Sequence, residues 1–123
     1  MAKDAIAKDA IVEDAVSRLQ HLCGGPRDGA LLRVTLANAL LTQGDAVAAI
    51  AELRRALAFD PDYSSAWKLL GKLLAESDDA AAAADAYRAG IAAANKRGDK
   101  QAEKEMQVFL RRLDQRGRDA TSG

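Results

Sequence analysis

Apolar residues recur at steps of three and four along most of the 123-residue chain, the spacing that lines side chains along one face of an α-helix. Leu32, Leu36, Ala39 and Leu40 make one stripe. Ala46, Ala49, Ile50, Leu53, Ala56 and Leu57 make the next. Between them Gln43-Gly44-Asp45 breaks the pattern, because glycine supplies the left-handed conformation that ends a helix and aspartate caps the helix that follows. Asp60-Pro61-Asp62 stops the second helix, since proline cannot continue the hydrogen-bond ladder and restricts the residue before it. The scheme then repeats. Ala66, Leu70, Leu73 and Leu74 stripe one helix, Ser77-Asp78-Asp79 turns the chain, and Ala83, Ala86, Tyr87, Gly90 and Ile91 stripe another. No stretch alternates with the period of two that a strand requires. Twenty-eight alanines and only two prolines point the same way, to an all-α class.

A shift of 34 residues lays the chain on itself without a gap and gives eight identities in 34 pairs. Leu36 falls on Leu70, Leu40 on Leu74, and Arg54 on Arg88; Asp45-Ala46 falls on Asp79-Ala80. The frame divides the chain into residues 1–29, an N-terminal helix over about 4–23 that reads as a degenerate half repeat, closed by Gly24-Gly25-Pro26. Repeats follow at 30–63 and 64–97. Residues 98–116 form a capping helix with Ala102, Met106, Phe109, Leu110 and Leu113 on its apolar side and a charged outer face. Residues 117–123 are expected to be a disordered tail. Six helices, equivalent to about three repeats, make a minimal stack.

Particular residues then carry a resemblance. Trp67, Leu70 and Gly71 stand in the first helix of the second repeat, and Ala83, Tyr87 and Gly90 in its second helix. The earlier repeat supplies Leu36, Ala37, Leu40, Ala49, Leu53 and Ala56 with a closing Pro61, and departs at Arg33, where a tryptophan is expected. This pattern resembles the tetratricopeptide repeat. The resemblance implies a right-handed superhelix of antiparallel helix pairs, with short side chains where paired helices approach closely. Trp67 is expected inside its own hairpin, near Ala83 and Tyr87. It also implies a concave groove lined by the first helix of each repeat. In the first repeat the lining positions are Leu31, Val34, Thr35, Asn38, Leu41 and Thr42. In the second they are Ser65, Lys68, Leu69, Lys72, Ala75 and Glu76. Leu31, Val34 and Leu41 would form an apolar strip, and Asn38, Lys68 and Lys72 could donate to a carboxylate. The lysine and asparagine set by which some members hold a chaperone's terminal carboxylate is incomplete, because Val34 stands where its first lysine belongs.

Charge and chemistry narrow the function. Eighteen basic and eighteen acidic residues cancel, and no broad basic face is available for phosphates. Arg111, Arg112, Arg116 and Arg118, interrupted by Asp114, read as a solvated helix end. One cysteine excludes an intrachain disulfide, no apolar run reaches the roughly 18 residues of a membrane helix, and a cytoplasmic location is expected. His21 and Cys23 point about 200° apart on a helix and cannot share a metal. Gly24–Gly29 lacks the lysine and hydroxyl of a phosphate loop, and the acidic pairs at 60/62 and 78/79 read as helix caps. No nucleophile, base and oxyanion donors converge, so no enzyme, cofactor or metal is expected. The expected function is an adaptor that binds a peptide or partner helix in the groove. The alternative is a homo-oligomer joined through the Leu31–Val34–Leu41 strip or through Met106 and Phe109.

Overall fold

The helices run as far as each stripe runs and stop at the residues that interrupt it. The computed structural model describes residues 14–122, with side chains as far as Asp119. Helix α1 covers residues 14–22, α2 Ala30–Thr42, α3 Ala46–Phe59, α4 Ser64–Glu76, α5 Ala80–Arg97 and α6 Lys100–Ser122. Among the described residues these six helices and their turns make up an all-α, tetratricopeptide-like fold with no strand. The part of the expected first helix before residue 14 lies outside the described residues. At the other end α6 continues to Ser122 through the segment expected to be a disordered tail. One glycine inside a helix costs only about 1 kcal/mol, and the residues after Gly117 contain no proline to stop the ladder.

The chain forms two compact units, the first ending at Asp60 and the second running Pro61–Gly123. In the first, α2 packs on α3. In the second, α4 packs on α5, and both contact α6.

Three turns use one device. Gly44, Asp78 and Gly98 each take positive φ, at 84°, 61° and 74°. The amide of the next residue then reaches back five positions, Asp45 to the Leu40 carbonyl at 2.9 Å, Asp79 to Leu74 at 3.0 Å and Asp99 to Ala94 at 2.8 Å. These bonds satisfy carbonyls that a helix end leaves bare. The same aspartates cap the following helices. Asp45 accepts from the Ala48 amide at 3.0 Å, Asp79 from Ala82 at 3.2 Å and Asp99 from Ala102 at 3.1 Å. One aspartate therefore closes one helix and opens the next, which leaves little freedom in the hairpin.

Within the second unit, small residues set the helix separation. A Cβ placed on Gly71 would lie 2.5 Å from Tyr87 Cε1, so the phenol ring lies against bare α4 backbone. A Cβ on Gly90 would lie 2.7 Å from Trp67 Cβ and would also strike Met106 Sδ. Trp67 is thus opposite Gly90, not beside Ala83 and Tyr87 as the sequence suggests. The antiparallel register explains this: Gly71 faces Tyr87, so Trp67, a turn earlier on α4, faces a residue a turn later on α5. The indole is half-buried, and its Nε1 donates to the Pro61 carbonyl at 2.7 Å.

The first unit has no tryptophan here and solves the position with charge. Arg33 Nε and Nη2 grip the Asp28 carboxylate at 2.9 and 2.8 Å, and Nη1 reaches Glu52 at 2.9 Å. Asp28 also accepts from the Gly24 and Gly29 amides, while Arg55 holds the other Glu52 oxygen. The Arg33, Asp28 and Glu52 side chains are only 14, 9 and 11 % exposed. Arg33 holds the Asp28 carboxyl down at about 2, below its ordinary 3.8, and the two carboxylates push the guanidinium upward.

Three outcomes follow from these contacts. Asp78→Gly should raise stability by about 0.5–1 kcal/mol in urea melts, since the left-handed strain exceeds the entropy that glycine adds to the unfolded chain. No gain would mean that the aspartate side chain offsets its own strain. Arg33→Trp alone should cost roughly 1.5–3 kcal/mol, the range for hydrogen bonds to charged groups. Glu52→Ala in the same chain should recover at least about 1 kcal/mol of that, because alanine removes the buried carboxylate that has lost its Arg33 partner. Simple additivity in the mutant cycle would show that Glu52 does not depend on Arg33. Acid tests the other carboxylate. The unfolded chain protonates Asp28 at its ordinary value before the folded chain does, so its stabilisation is complete above about pH 4 and lost as pH falls through about 2. The difference in urea midpoint between wild type and Asp28→Asn should shrink across that window.

Candidate functional site

In the first unit, α2 carries its expected lining residues outward to different degrees. Leu31 is 68 % exposed, Thr35 and Asn38 are exposed, and Val34 and Leu41 are half-buried. The polar ones fold back on their own helix. Thr35 Oγ1 donates to the Leu31 carbonyl at 2.8 Å, Asn38 Nδ2 to Val34 at 3.1 Å and Thr42 Oγ1 to Asn38 at 3.1 Å. Short polar side chains in mid-helix commonly satisfy themselves this way. Asn38 therefore commits one amide hydrogen to its own helix.

The second unit brings five of its six expected residues together, while Ser65 is exposed outside that set. Lys68, Leu69, Lys72, Ala75 and Glu76 of α4 form one wall of a groove of about 620 Å³. Tyr87 of α5 and Glu105, Phe109 and Arg116 of α6 complete it. Volumes of roughly 300–1,000 Å³ are usual for ligand sites. The wall residues follow from helical spacing, since positions 68, 69, 72, 75 and 76 share the side of α4 opposite the one that Trp67 and Leu70 bury.

The floor is aromatic. Tyr87 and Phe109 lie with ring centroids 5.7 Å apart and planes tilted by 39°, a favourable edge-and-face arrangement. The Arg112 guanidinium sits 6.0 Å above the Phe109 ring, at the outer limit of a cation–π contact. A recess of about 100 Å³ continues from the groove between Ala75, Tyr87, Phe109 and Leu113. Burial pushes the Tyr87 phenol up, Glu76 adds to the shift and Arg116 opposes it. Those two charges flank the groove, and the phenol is neutral at physiological pH.

At the rim, Lys68 Nζ pairs with Glu105 at 2.9 Å and holds that carboxyl below its ordinary range. Both groups remain more than a third exposed, where screening leaves such a pair little net stability. Lys72 and Arg116 have no salt-bridge partner among the described residues.

Sequence reasoning placed Phe109 in a capping stripe and Arg112 and Arg116 in a solvated helix end, and so missed half of the groove. It also gave Met106 a surface role in self-association. Met106 is fully buried, directly over Gly90, and offers no contact face. Cys23 is half-buried, its Sγ donating to the Leu19 carbonyl at 3.5 Å, and burial pushes the thiol up. His21 is exposed. Among the described residues no group of acidic, histidine or cysteine side chains could hold a metal ion, and no helix is long and apolar enough to cross a membrane.

Comparison with known proteins identifies the fold family. Residues 30–73 match the family model for the tetratricopeptide repeat. A TPR repeat-containing protein of Pseudomonas aeruginosa is 52 % identical over 87 residues, which cover 71 % of this chain and 83 % of that protein. A solution structure of a protein from Bordetella parapertussis is 46 % identical and superimposes with a TM-score of 0.69, covering 82 % of this chain and 88 % of the other. The crystal structure of the Sgt2 TPR domain from Aspergillus fumigatus is 26 % identical, with a TM-score of 0.72 over 98 % of this chain and 77 % of that one. The repeat register, the glycine and aromatic contacts and these relatives together place the chain in the tetratricopeptide-repeat family.

Proposed function

We propose that this chain is an adaptor that takes a short peptide or a partner's helix in the groove between α4 and α6. Tetratricopeptide-repeat proteins generally mediate protein–protein interactions, and the family is a non-enzymatic interaction fold. The observation that carries the finer reading is the groove itself. Leu69 and Phe109 offer apolar surface in an open depression of about 620 Å³ backed by the buried Tyr87, and cations without a salt-bridge partner among the described residues stand at its edge. Apolar surface left accessible inside a charged rim is the usual layout of a contact site. The first unit contributes Leu31 and its neighbours on α2 as a further accessible apolar strip. The protein acts where its partner is, and a cytoplasmic location fits the single half-buried thiol.

Site-specific cross-linking tests the groove. A photoreactive residue at Leu69 should capture a discrete protein in cells, whereas one at Ala92, on the exposed side of α5, should not. Lys72→Ala should leave the melting transition within about 0.5 kcal/mol of wild type, as surface changes do, yet lower the cross-linking yield. Equal capture at both positions would remove the groove from the interaction.

A further inference from the structure

The groove's charges are unevenly matched. Five charged side chains line it, three basic and two acidic. Lys68 and Glu105 neutralise each other, leaving Lys72 and Arg116 facing Glu76. Arg112 stands at the adjoining recess, its guanidinium 6.0 Å from the centre of the Phe109 ring. Among the described residues, three cations without a salt-bridge partner thus meet one anion at the groove and its recess, an excess of positive charge in a chain whose total charge is zero. It also stands on two sides, with Lys72 on α4 and Arg112 and Arg116 on α6.

Resting on the groove reading above, we propose that the occupant is an internal acidic segment bearing one apolar side chain. The apolar side chain enters the recess between Tyr87, Phe109 and Leu113, where it gains the aromatic floor. Carboxylates on either side of it meet Lys72 from one wall and Arg116 and Arg112 from the other. Arginine suits this task because its planar fork can take a carboxylate with two parallel hydrogen bonds. Basic segments are disfavoured by the same three cations. A nucleic acid is disfavoured because so few cations release few counterions.

Binding is read by fluorescence anisotropy with dye-labelled nine-residue peptides, acetylated and amidated so that side chains alone supply charge. One carries a central leucine flanked by aspartates and glutamates. A second replaces the leucine with alanine, and a third replaces the acids with lysine. The full chain should bind the first, at least about tenfold more weakly the second, as loss of a buried leucine implies, and the third least. Raising salt from about 0.05 to 0.15 M should weaken the acidic peptide, because the rim charges are exposed and screened. The paired change Lys72→Glu with Arg116→Glu should weaken it at least tenfold and strengthen the lysine peptide. The paired change Lys100→Glu with Lys104→Glu, the same charge change on exposed positions outside the groove, should do neither. Circular dichroism confirms that each variant is folded.

Equal binding of the acidic and lysine peptides, both lost in Leu69→Asp, would overturn the acidic preference and leave the groove standing. Binding of the acidic peptide that ignores Lys72, Arg116 and Leu69 alike would remove the groove as well. Failure of every peptide to bind, or displacement of the acidic peptide by a short single-stranded DNA at equal concentration, would also overturn the proposal.

Discussion

The separation of α4 and α5 decides most of what this protein can present. Helices pack at 8–10 Å when ordinary side chains stand between them. Here Gly71 lets the Tyr87 ring rest on backbone, and Gly90 lets Trp67 and Met106 crowd the same spot. An added methyl at either glycine meets atoms closer than van der Waals contact allows, and dense interiors do not absorb such intrusions. Alanines at 83, 86, 93 and 94 keep the rest of α5 equally slim. The aromatic rings are the complement of this thinness: the space that small residues vacate is where they fit.

Tyr87 joins this scaffold to the site. One side of the ring is pressed on Gly71, while Phe109 stands 5.7 Å from it on α6. The groove floor is therefore part of the core that holds the hairpin together, and it cannot drift independently of α4. Rigid floors lower the ordering cost of binding, which is one reason that interaction surfaces are built on packed elements. The rim has the opposite character. Lys72 and Arg116 are exposed and, among the described residues, without a salt bridge, so they can adjust to a ligand.

Much of the architecture was legible because its determinants are local. Gly44-Asp45 and Asp78-Asp79 announce the turns through left-handed and capping chemistry confined to a few residues, and the 34-residue shift places the α2 and α4 faces. What escaped was set by partners distant in sequence. Arg33 looked like a defect in the repeat, because nothing nearby reveals that Asp28 comes from the preceding loop and Glu52 from α3, at the position where the second repeat has Ala86. A charged residue on the buried stripe of α3 was the available signal. Phe109, Arg112 and Arg116 escaped for another reason. Helix α5 runs to Arg97, well past the length of α3, so the 34-residue frame no longer indexes α6 and its inner and outer sides could not be carried over. The strand of reasoning that put Trp67 beside Tyr87 failed by one helical turn, an error that spacing along a single helix cannot detect.

The ionic cluster at Arg33 gives the two units different responses to heat. Water's hold on charged groups weakens as temperature rises, so the desolvation that Asp28, Arg33 and Glu52 undergo on folding becomes less costly in a hot solution. The apolar contacts of Trp67 and Tyr87 gain no comparable advantage, because hydrophobic stabilisation per unit area levels off. In the cold the order reverses for the charges, whose hydration is then most favourable. A chain of two repeats of equal length thus contains two thermometers of opposite construction, and amide exchange measured across temperature would see α2 and α3 change their protection on a different schedule from α4 and α5.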